Sequence, residues 1–130
     1  MKKSYRSNLS RARGIGPAKS GAKSWLALRV SAVALIPVCV WFVYSAIQLA
    51  ATGVDHSIVV VWIKMPINAF LLVMLIGLSA YHGFLGNKEI IEDYVPNPGA
   101  KHLFVIAKQI GFLFLAGASI FAVLSIYFKG

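Results

Sequence analysis

The sequence predicts an all-α membrane protein built on three transmembrane helices, and three observations carry that prediction. Hydrophobic residues make up 58% of the 130 and charged residues only 13%, where soluble domains carry about 25% charged. Mean hydropathy is +0.75, so there is too little polar surface to wet a folded globule. The apolar residues also gather into three uncharged runs, between Arg29 and Asp55, between Lys64 and Lys88, and between Lys108 and Lys129. Each run is long enough, at 1.5 Å per residue, to cross ~30 Å of hydrocarbon.

The expected spans cover about 30–52, 65–87 and 109–128. Residues 29–130 then form a three-helix transmembrane anchor behind a basic arm at 1–28, and Ala51 to Ile63 forms a short connecting loop. In the first span Pro37 removes one backbone donor and should bend the helix, a defect that neighbouring helices or Ser/Thr side chains offset in lipid. Pro66 stands near the start of the second, where a missing N–H costs little. Small residues recur at helix-packing spacing, Ser79 with Gly83 and Ala118 with Ala122, which lets backbones approach closely. Cys39, the single cysteine, falls within the first span and reads as a small buried apolar side chain. Neither a disulfide framework nor a Cys-ligated cluster can be built from it alone.

Charge fixes the expected orientation. The net charge is +9, and eight of the thirteen basic residues lie before residue 30 with no acid among them. Such a flank beside an apolar span marks a cytoplasmic segment at an anionic leaflet. Lys88, Lys101 and Lys108 join the arm on that side, against Lys64 and Lys129 on the other. The N-terminus is therefore expected in the cytoplasm and the C-terminus outside. Trp25, Trp41, Tyr44, Trp62 and Tyr127 lie near span ends, as interfacial anchors do. The arm is also Ser-containing and acid-free, like a transit peptide, but Gly14, Gly16, Pro17 and Gly21 should break a long amphipathic helix there. No groove-reading fold accompanies the charge, which argues against nucleic-acid binding. The stretch from Gly16 to Ser24 approaches a phosphate-binding loop, but an alanine precedes the lysine and no strand leads into it.

His82 is the one ionisable side chain inside a span, about a turn and a half from its cytoplasmic end. Ionisable groups at that depth are costly and face the bundle interior. Two readings stand: a neutral histidine donating to a carbonyl of a neighbouring helix, or a ligand to haem iron. His82, Gly86, Glu89 and Asp93 share one helix face by spacing, and Gly83 with Gly86 leaves room for a flat macrocycle. A six-coordinate bis-histidine haem would take its second ligand from another chain, which predicts a heteromeric or symmetric partner, and the fold expected is three helices forming part of a heteromeric helical bundle. Beyond His82, the segment from Ile90 to Pro96 puts Asp93 beside Tyr94 at the membrane boundary. A phenol there can donate to a lipid-soluble carbonyl compound while the carboxylate orients it or relays protons. The plain alternative is a helix end closed by Pro96, with solvated acids and an interfacial tyrosine. His56 and His102 share no ligand spacing and are expected in solvated loops.

The pattern of His82, then Asp93 and Tyr94, set after a second span and before a third, resembles the small hydrophobic anchor subunit of succinate dehydrogenase, a cytochrome b component. The block from Gly21 to Ala32 also looks like that family's approach to its first span, so the resemblance runs from about Gly14 onward. It implies that His82 is an axial, metal-binding ligand of haem b, with the other ligand from a larger cytochrome b anchor subunit. It implies further that Arg29 lies near the haem propionates, where a guanidinium pairs with carboxylates. Tyr94, with Asp93 adjacent, would line the ubiquinone site beside the docked iron–sulfur subunit, while a flavoprotein subunit oxidises succinate. The chain would catalyse nothing alone and would sit in a bacterial inner membrane with its C-terminus periplasmic. Two other classes compete: a small transporter or holin-like pore, which would need a polar stripe that Asn68 and His82 hardly make, and a haem-free structural anchor in which His82 only packs.

Overall fold

A computed structural model of the chain describes residues 18–53 and 55–129, with the side chains at 18–20, 89, 92, 93 and 98 outside that description. The described chain is helical: α1 spans Ala18–Ala51, α2 His56–Lys64, α3 Pro66–Tyr94 and α4 Pro98–Phe128. Three stretches are long and apolar enough to cross a membrane, Gly21–Ala51, Pro66–Lys88 and Gly99–Phe128. The protein is thus an all-α, multi-pass membrane protein with the three spans that the uncharged runs predict.

The helix ends follow backbone chemistry rather than hydropathy. Residues 1–17 of the basic arm lie outside the described residues. Gly21, expected to break a helix, is inside α1. One glycine costs about 1 kcal/mol in a helix interior, and extending an existing helix adds a hydrogen bond for each residue fixed. At the other end of α1, Gly53 adopts a φ of 77°, the left-handed cap that glycine takes without strain. The helix that carries the third uncharged run, α4, starts at Pro98, because Asn97 caps it: Oδ1 accepts from the N–H groups of Gly99 at 2.9 Å and Ala100 at 3.3 Å. Pro98 occupies the first helical turn, where a missing N–H costs nothing. Pro37 lies within a continuous α1.

Where a loop was expected between the first two spans, the structure has α2. Its nine residues rise only about 13 Å, too short to cross the membrane. Its apolar side chains instead lie over the end of the helix layer. Trp62 stacks on Trp41 of α1, centroids 5.7 Å apart and planes 15° from parallel. A single extended residue, Met65, ends α2 and caps α3, and Pro66 enters α3 at its first turn.

Both α1 and α4 pack against α3, which is the central helix, and α2 packs against α3 and α4. Among the described residues the buried apolar ones, Ala69, Leu85 and Ile91, all belong to α3. Most of the apolar surface of α1 and α4 faces outward, as lipid-exposed or partner-facing helices do. Cys39 is accordingly exposed rather than buried, since α1 is covered on one side only. The small residues of α4 that approach α3 are Ala116 and Ser119, opposite Ser79 and Ala80, whereas Ala118 and Ala122 are exposed.

Candidate functional site

His82 lies on α3, half-buried, in the part of the span nearer Lys88. α1 runs antiparallel alongside it and brings up Ser31, whose Oγ is 3.0 Å from His82 Nδ1. The same hydroxyl donates to the Leu28 carbonyl at 2.8 Å. Ser31 is 4% exposed, so a polar side chain is buried at the crossing of two otherwise apolar helices. That burial is tolerable because the hydroxyl is hydrogen-bonded. Sequence reading missed Ser31; the available signal was a hydroxyl inside an apolar run, on the helix that pairs with the histidine.

The two glycines beside His82 have different roles. A Cβ on Gly83 would stand 3.0 and 3.2 Å from ring carbons of Phe112, so this glycine serves the close approach of α3 and α4 rather than room for a macrocycle. A Cβ on Gly86 would meet only Leu28 Cδ1, at 4.0 Å. Gly86 therefore leaves slack between α3 and α1, one turn along from the imidazole. Below it, Asn87 donates to the Gly83 carbonyl at 2.9 Å and accepts from Lys108 Nζ at 2.8 Å. This bridge ties α3 to α4.

Arg29 is exposed, with its guanidinium carbon 4.3 Å above the Trp25 ring centroid, a cation–π contact one helical turn back. It precedes Ser31 by two positions, which a helix rotates by about 200°, so the two side chains leave α1 on different sides. Tyr94, the last residue of α3, is 82% exposed. Twelve residues of helix put it about 18 Å along the axis from His82. Asp93 falls in the same last turn, and its side chain lies outside the described residues. The helix ends there, with Val95 as its cap and Pro96 following, as the proline predicts.

His56 opens α2 and His102 lies in an early turn of α4, both exposed and both helical rather than in loops. Among the described residues no three His, Cys, Asp or Glu side chains group as a metal cage. A haem asks for less: one imidazole with an unprotonated nitrogen, and a flat apolar surround. An imidazole held at Nδ1 beside the slack at Gly86 fits that need.

Comparison with known proteins fits this architecture. No solved structure matches the chain at a significant level. Curated relatives named "Succinate dehydrogenase hydrophobic membrane anchor subunit" include that of Rickettsia conorii, 30% identical over 97% of each chain, and that of Rickettsia bellii, 29% identical over 97% of each. The relative of the same name from Rickettsia prowazekii is 26% identical over the same shares. Residues 3–117 match the family described as "Succinate dehydrogenase/Fumarate reductase transmembrane subunit", and with three apolar spans, α3 the central one, the chain belongs to that family.

Proposed function

We propose that this chain is the small membrane anchor of a succinate:ubiquinone oxidoreductase, in which His82 is one axial ligand of a haem b. The observation that carries this reading is a half-buried imidazole on the central helix whose Nδ1 is held by Ser31, leaving Nε2 as the atom for iron. The second ligand comes from a larger cytochrome b anchor subunit packed on the outward apolar faces. When bound, the haem supplies a one-electron redox centre whose potential depends on its axial ligands and their surroundings. Arg29, exposed and steadied by Trp25, offers a guanidinium to the propionates.

At the end of α3, the exposed phenol of Tyr94 donates a hydrogen bond to a ubiquinone carbonyl, and Asp93 orients it or relays protons. The docked iron–sulfur subunit delivers the electrons that a flavoprotein subunit takes from succinate. The bilayer is a bacterial inner membrane. The arm and the α3–α4 turn face the cytoplasm, supported by Lys88, Lys101 and Lys108 on the arm's side, and the C-terminus is periplasmic. The pore reading finds no polar stripe among the described residues: Asn68 donates to the Trp62 carbonyl and His82 turns to Ser31.

A haem-free anchor in which His82 merely packs would keep the same Ser31 contact, so spectroscopy decides. The purified complex should show b-type bands in its reduced-minus-oxidised spectrum, and His82→Leu should abolish or alter the axial coordination. Absence of those bands from the unmodified complex would remove the haem assignment.

A further inference from the structure

We propose that Ser31 is the positioning residue for His82, accepting a hydrogen bond from Nδ1–H and so fixing the tautomer and ring plane that present a bare Nε2. The proposal rests on the haem reading above. It follows from counting protons. A serine hydroxyl has one proton to give and two lone pairs to offer, while a backbone carbonyl can only accept. The 2.8 Å contact from Ser31 Oγ to the Leu28 carbonyl has the length of an O–H···O bond and uses that one proton. The 3.0 Å contact with Nδ1 must then be made by a proton on the imidazole. In the reverse arrangement Ser31 would donate to Nδ1, and two oxygen lone pairs would face each other at 2.8 Å in a buried place. With Ser31 4% exposed, bulk solvent would screen that repulsion little.

The backbone around this pair makes it a fixed element rather than a chance contact. Leu28 receives the hydroxyl through its carbonyl, and its side chain lies toward Gly86, the residue one turn along from His82 on α3. The same turn of α1 therefore holds the hydroxyl's rotor and touches the helix that carries the imidazole. Donation from Nδ1–H makes the ring a stronger electron donor at Nε2, which favours ferric over ferrous iron. Outer partners of this kind are worth about 10- to 100-fold in ligand affinity.

The test uses the whole purified complex with Ser31→Ala, Ser31→Thr and Ser31→Cys, read by potentiometric titration of the haem and by the electron paramagnetic resonance g-values of its ferric form. Ser31→Ala is expected to keep b-type bands, to raise the midpoint potential and to shift the g-values. A tenfold loss of ferric preference reads as about 59 mV in a one-electron couple. Threonine keeps the hydroxyl and should stay near the unmodified values, while cysteine, a poor acceptor of similar size, should follow alanine. Dye-linked succinate oxidation should be unchanged throughout. Unaltered midpoint and g-values in Ser31→Ala, with His82→Leu still disturbing the haem, would overturn this role and leave the haem reading standing. If His82→Leu also left the coordination as it was, the haem reading itself would fall. Failure of both the alanine and cysteine complexes to assemble would mark Ser31 as a packing residue and overturn the proposal.

Discussion

At the end of the molecule that carries α2, Trp62 stacks on Trp41, Asn68 is buried and donates to the Trp62 carbonyl at 2.8 Å, and Met65 closes one helix while opening the next. At the other end Tyr94 stands 82% exposed where α3 stops, and Arg29 lies exposed over its own helix. His82 is held from one side by a single hydroxyl. The first end is covered in part within the chain, where a short helix packs against α3 and α4 and Asn68 finds its partner in the Trp62 carbonyl. The second carries the side chains that the proposed haem and quinone chemistry uses, with His82 half-buried and Arg29 and Tyr94 exposed. On the proposed function, the second end is the one on which other subunits would dock.

The assignment of ends to sides of the membrane gives the largest expected effect. A reporter fused after Gly130 should be active only outside the cytoplasm, an all-or-none result, and cytoplasmic activity would invert the comparison. Next in size is Tyr94→Phe, which removes only the phenolic hydroxyl. Succinate-to-quinone turnover should fall by about a hundredfold, the lower end of the range that positioned proton donors contribute, while dye reduction by the soluble subunits survives. Unchanged quinone kinetics would make Tyr94 a plain interfacial side chain. Asn68→Ala tests the closed end: it removes one of the two hydrogen bonds that the Trp62 carbonyl accepts, leaving the one from the Met65 N–H, and should lower the thermal stability of the detergent-solubilised complex by about 1 kcal/mol. Haem potential and quinone kinetics should hold. If they move with it, the two ends are coupled and the division between them fails.

What the sequence revealed, and what it did not, follows the same division. Three uncharged runs announce three spans because in lipid an uncharged helix is the one element whose backbone satisfies itself. His82 stands out for the related reason that an ionisable group there is costly. The extent of each helix was less legible, since Asn97 starts α4 by accepting backbone hydrogen bonds that no hydropathy average registers. α2 was hidden because its residues are apolar enough for a span but too few. The role of Gly83 needed the ring of Phe112, almost thirty residues on, to be placed against it. Ser31 needed two helices to meet. Spacing within one helix shows which residues share a face; it does not show what the next helix brings to that face.

The smallest expected effect lies at the start of α2. Asp55, exposed at the N-cap, accepts a hydrogen bond from the Ser57 hydroxyl, and this bond first, with the N–H groups of His56 and Ser57 nearby, holds its carboxyl below the usual carboxylate range. A carboxyl whose pKa is lower folded than unfolded lends stability that is fully present above its unfolded value and is lost as pH falls through its folded one. Acidification below about pH 4 should therefore loosen the first turn of α2, seen as faster amide exchange at Ile58 and Val59 and a small change in Trp62 emission. Asp55→Asn, which cannot ionise, should flatten that response while leaving the neutral-pH spectra of the His82 end untouched. The same acid response in Asp55→Asn would assign the transition to a different group. A change that spread to the haem would show that the closed end is not closed.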